Sequence, residues 1–102
     1  MNFSKLIESV EAEWEPESGF LWRVRQGVFD KAGCLRLQAK LEAITIEEGA
    51  ELPRRLVSVL WYIPMFMDWQ TDRVRQLNGD VLAYQKATNS VLNELERILG
   101  VP

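Results

Sequence analysis

Apolar positions recur every three or four residues along most of this chain, and in one stretch they run almost without interruption. From Leu56 to Trp69, twelve of the fourteen residues are apolar, aromatic or proline, with Ser58 and Asp68 standing alone among them. Leu56, Val59, Leu60, Ile63, Phe66 and Met67 trace one helical face, and Trp61, Met65 and Trp69 trace another. A helix that is apolar on both faces is expected to be surrounded by its neighbours. Pro64 removes a hydrogen bond to the Leu60 carbonyl and disfavours α geometry at Ile63, which predicts a kink or a break close to Tyr62 and Ile63.

The segments on either side are amphipathic. Phe3, Leu6, Ile7, Val10 and Trp14 form one stripe, with Glu8, Glu11 and Glu13 assigned to the other side. Glu15-Pro16-Glu17-Ser18-Gly19 ends that first helix. The next segment, Phe20 to Phe29, reads either as strand alternation or as a short helix capped by Ser18. Helix is preferred, because no second segment could pair with a lone strand. Asp30 is a candidate N-cap for a third helix carrying Cys34, Leu37, Leu41 and Ile44, with Arg36, Lys40 and Glu42 facing away. Pro53 suits the start of the central helix. Val74 and Leu77 continue the stripe to Asn78-Gly79, a turn signal with Asp80 as the following cap. Val81, Tyr84, Thr88, Val91, Leu95 and Ile98 line the last helix, which Gly100 and Pro102 terminate. The pattern predicts an all-α fold: one domain over 1–102, a compact bundle of five or six helices around a proline-kinked central helix.

Composition changes this picture little. At 102 residues, 47% hydrophobic and 26% charged, the chain can bury a core without covalent staples. Its apolar stretch is too short to span a bilayer, and no basic region precedes an apolar run at the N-terminus. A single cysteine fits a reducing compartment, so a cytoplasmic location is expected, with no membrane partner. The net charge of −3 argues against a nucleic-acid partner. Charge falls in alternating blocks, about −4 over 1–19, about +4 over 20–41, about −4 over 42–53 and about +2 over 54–79. Such blocks suit neighbouring helices with complementary rims.

The candidate chemistry is thin. With no histidine, the commonest general base and transition-metal ligand are missing. One cysteine makes no zinc or iron–sulfur site, and the glycines have no phosphate-loop or dinucleotide spacing. Asp68 and Asp72, four apart, could hold Mg²⁺ or act as an acid–base pair, but a solvated edge on which Asp72 meets Arg75 or Arg73 is the plainer reading. Cys34 sits on an apolar stripe, as a packing residue does. No cofactor, no metal and no catalytic activity are expected.

Four tryptophans and an arginine excess, eight against four lysines, are the most unusual features. Core packing accounts for some of the rings; tryptophan, tyrosine, methionine and arginine are also enriched at protein interfaces. Short, acidic, tryptophan-bearing and without catalytic equipment, the chain resembles in type the small bacterial helical proteins that act by binding another protein, toxin-immunity proteins among them. That resemblance implies a protein partner. The expected function is a non-catalytic protein–protein interaction module, with an immunity-type toxin inhibitor as its most specific form. A binding surface is expected where aromatic and charged residues mix, near Trp22, Arg23, Arg25, Trp69, Asp72 and Arg73. The alternatives are a homo-oligomer, with an aromatic–methionine face meeting its own copy, and a carboxylate or small-molecule site beside Trp61 and Trp69.

Overall fold

A computed structural model describes residues 1–102 and shows six α-helices and no strand. In chain order they are α1 (Phe3–Glu11), α2 (Phe20–Arg25), α3 (Lys31–Glu42), α4 (Arg54–Trp69), α5 (Thr71–Gln76) and α6 (Val81–Leu99), with a 3₁₀ turn at Ala12–Trp14 after α1. All six contribute to a core of 20 buried apolar residues, so they share one interior. α4 lies against α1 and α6, and α6 also packs on α3. The radius of gyration, 13.6 Å, matches the roughly 13 Å of a compact chain of about 100 residues.

Local chemistry explains most of the element ends. The Asn2 side chain accepts from the Lys5 amide and starts α1. The Asp80 carboxylate accepts from the Ala83 amide at 3.0 Å and starts α6, while Gly100, at φ 85°, closes it. Asn78 takes the left-handed conformation, and the Gly79 amide returns to the Val74 carbonyl, so the Asn-Gly pair is the expected turn. The Phe20–Phe29 ambiguity resolves as helix α2 followed by an irregular turn. Its first amide is satisfied by the Glu13 carboxylate rather than by Ser18. Asp30 occupies the N-cap position of α3 but turns its carboxylate to Arg23 instead of to the helix.

Several expectations are corrected. Glu13 is not on a solvated face: its side chain is 1% exposed. Arg36 and Lys40 do not face away from the fold but converge on that carboxylate. The central helix is not surrounded. Leu56, Leu60, Ile63 and Met67 are buried, whereas Trp61, Met65 and Trp69 are open to water. The other five helices cover one side of α4 and leave the side carrying Trp61, Met65 and Trp69 open. Of the two outcomes expected at Pro64, a kink or a break, the break does not occur, and α4 continues through the proline; the buried contacts on both sides of it outweigh the hydrogen bond it cannot make. The break falls instead at Gln70, which separates α5 and leaves Leu77 exposed rather than on the buried stripe.

α6 ties the ends of two other helices together. The Tyr84 hydroxyl donates to the Met67 carbonyl near the end of α4, at 2.6 Å. The Arg97 guanidinium donates to the Leu41 and Ile44 carbonyls at the end of α3, both at 2.9 Å. Carbonyls in a helix's last turn lack partners within the helix, and a cation favours that end.

Candidate functional site: an aromatic face on α4

The residues that α4 leaves outside form a continuous surface. Trp61 is 47% exposed, Tyr62 36%, Met65 41% and Trp69 57%. Spacings of three and four put them on one side of the helix, with the buried row behind them holding the helix in place. Tyr62 is the hub. Its ring meets Trp61 edge-on at 5.7 Å, Trp69 edge-on at 5.8 Å, and Trp14 from the 3₁₀ turn at 6.1 Å. Trp14 in turn packs edge-on against Phe66 at 4.8 Å. Rings locked against one another lose little further freedom when a partner covers them, which favours binding.

Charge borders this surface. The Arg25 guanidinium lies 5.5 Å from the Trp14 ring centre and 5.4 Å from that of Phe66, a cation–π arrangement. Arg55 reaches Glu11 at 3.4 Å, with both side chains largely solvated. A groove of about 470 Å³ runs between these charges and Trp14, Trp61 and Tyr62. Arg25 is fixed from below, because Arg73 donates to its backbone carbonyl at 2.8 Å. That approach needs a glycine. At Gly27, φ is +84°, and a Cβ would come within 2.9 Å of Arg73 Cγ and 2.8 Å of Leu77 Cδ1.

The six residues picked from the sequence divide accordingly. Trp69, Arg25 and Arg73 belong to this face or its support. Trp69 reaches Arg25 through Tyr62 and Phe66. Arg23 is committed elsewhere, to Asp30 at 2.9 Å and to the Glu17 carbonyl at 2.7 Å, where it steadies a left-handed non-glycine residue. Asp72 pairs with Arg75, its neighbour one turn on. Trp22 is half-buried on α2 and enters none of the close ring pairs. Sequence reasoning placed Trp61 and an aromatic–methionine face at the surface only in its alternatives and did not single out Tyr62 or the half-buried Trp14, since their apolar character reads equally well as core.

The ionisable groups inside the fold are arranged for structure. Burial pushes the Cys34 thiol up to about 11, so it is a poor nucleophile near neutral pH. Burial also pushes the Tyr84 hydroxyl up. At Glu13, burial raises the pKa, but hydrogen bonds from Arg36, Lys40 and the Phe20 amide more than reverse this and hold it at about 2. The contacts are short: 2.7 Å from Arg36 Nη2, 2.9 Å from Arg36 Nε and 2.7 Å from Lys40 Nζ. Such a carboxylate is ionised and saturated, and has no proton to give. Asp68 and Asp72 are separated by the break at Gln70, and no group of three or more carboxylate or thiol side chains is placed to hold a metal. No helix is long and apolar enough to cross a membrane. Comparison with protein-family models, curated proteins and solved structures gives no match to this chain.

Proposed function

We propose that this protein is a non-catalytic protein–protein interaction module that docks a polypeptide on the exposed face of α4. One observation carries the reading: Trp61, Tyr62, Met65 and Trp69 stand together on the open side of a helix whose opposite side is core. At about 150–250 Å² per aromatic side chain, their exposed fractions leave on the order of 400 Å² of apolar surface. A contiguous apolar patch of that size is what the largest patch on a monomer amounts to, and such patches often serve binding; tryptophan and tyrosine are the residues that most often dominate binding energy. Immunity-type inhibition of a toxin is one form of the reading, in which the docked polypeptide is an enzyme that loses activity on binding. The buried thiol suits a reducing, cytoplasmic setting.

The test is native mass spectrometry of the protein isolated gently from its own cells, beside the Trp61→Ala, Trp69→Ala double variant. Both positions are exposed, so circular dichroism of the variant should stay helical. The reading requires a bound polypeptide that the double variant loses. A wild-type protein carrying none, or a variant carrying it equally well, refutes the assignment of this face.

A further inference from the structure

We infer that the polypeptide docked on α4 is a second copy of this chain, with the two α4 helices antiparallel across a two-fold axis at Trp61. The inference rests on the docking reading above and adds the partner's identity. It comes from the order of groups along the open face. Arg54, Trp61 and Asp68 are spaced seven apart, and two turns of α-helix take about 7.2 residues, so all three lie in one narrow row. A cation stands at one end, an anion at the other, and an aromatic ring midway.

Arg54 and Asp68 are both exposed, and neither takes part in any of the six ion pairs within the chain. A two-fold axis through Trp61 exchanges the ends of the row. It sets Arg54 of each copy against Asp68 of the other, forming two ion pairs about 21 Å apart along the helix at 1.5 Å per residue. A parallel pairing would set like charges together. The same operation brings Met65 opposite the smaller Val57 and Ser58 of the second copy, and Trp61 against its own equivalent. A surface made self-complementary in this way is what an isologous interface requires.

The area is consistent. The apolar patch supplies about half of the roughly 800 Å² per partner that a standard interface buries. The flanking Arg54, Arg55, Ser58 and Asp68 lie where the remainder would come from.

Sedimentation velocity over a wide concentration range tests the proposal, with charge reversals at the two ends of the row. The wild-type chain should sediment at twice its 11.8 kDa mass. Arg54→Asp alone and Asp68→Arg alone should each weaken the dimer about tenfold, since each loses two pairs and gains repulsion. The Arg54→Asp, Asp68→Arg double variant should return to within a few-fold of wild type, because its pairs re-form with the signs exchanged. A monomer at every concentration overturns the proposal, as does a dimer indifferent to the single reversals or one that the double reversal fails to restore. A monomeric wild type that still binds another polypeptide through Trp61 and Trp69 defeats self-pairing and leaves the docking reading standing. A dimer indifferent to the reversals and to loss of both tryptophans defeats the two together.

Discussion

Replacing Glu13 with glutamine should destabilise this protein more than any other single charge removal, and should flatten its response to acid. The carboxylate receives hydrogen bonds from Phe20, Arg36 and Lys40, linking the 3₁₀ turn to α2 and α3. Its pKa falls from an ordinary 4.5 to about 2, which at about 1.36 kcal/mol per pKa unit corresponds to roughly 3 kcal/mol. Because Arg36 is nearly half open to water, a discounted value of about 2 kcal/mol is the working expectation. The folded-state pKa lies below the unfolded one, so the unfolded chain takes up the proton first. The stabilisation is therefore complete above about pH 5 and is lost as the pH falls towards 2. Urea unfolding of wild type and Glu13→Gln from pH 7 down to pH 2 measures it directly. The curves should lie about 2 kcal/mol apart at pH 7, or roughly 8–16 °C in Tm, and converge in acid. Parallel curves, or a Tm within about 2 °C at pH 7, would refute the reasoning.

Three further outcomes follow from single contacts. Gly19→Ala should cost roughly 2–3 kcal/mol in urea unfolding, because its Cβ would sit 2.3 Å from the Glu13 carbonyl oxygen, and backbone cannot yield as a side chain can; a loss under about 0.5 kcal/mol would contradict that close approach. Tyr84→Phe should cost only about 1 kcal/mol in the same assay, since the Met67 carbonyl keeps the Gln70 amide as a second donor, and a much larger loss would mean that the hydroxyl does more than this bond. The Cys34 thiol should react with a disulfide reagent at pH 8 only as fast as the fold opens, and fully in concentrated guanidinium chloride; fast labelling of the native protein would show that it is not packed in the core.

The parts of the fold legible in the sequence are those fixed within a turn or two of chain. The α6 stripe through Tyr84, Val91, Leu95 and Ile98, the Asp80 cap and the Asn78-Gly79 turn all depend on neighbours in sequence, and all are found. Glu13 was not legible. It stands three residues after buried Val10, within about 60° of it around a helix, yet a glutamate is assigned to water unless its cations are known to arrive from elsewhere. The hint was the acidic block over 1–19 facing a basic block over 20–41, which the ion pairs from Arg36 and Lys40 bear out at the level of rims but not of one residue. The aromatic face failed in the opposite direction. Periodicity separates Trp61, Met65 and Trp69 from Leu60 and Ile63, but it carries no information about how many helices remain to cover the second row. Of the six residues chosen for a binding surface, Asp72 takes the local Arg75 partner that the sequence already offers as the plainer reading, whereas the Arg23–Asp30 pair depends on how the turn after α2 folds.

The clasp that Arg97 makes on the carbonyls of Leu41 and Ile44 joins positions 56 and 53 residues apart. In chain order α3 comes long before that guanidinium, which adds to the local amide that the Leu41 carbonyl already holds from Ile44. The same holds for α4, whose Met67 carbonyl has the Gln70 amide locally and gains the Tyr84 hydroxyl from α6. The last helix thus supplies the final side-chain contact to the ends of both α3 and α4, so loss of α6 would loosen two helix ends as well as its own share of the core.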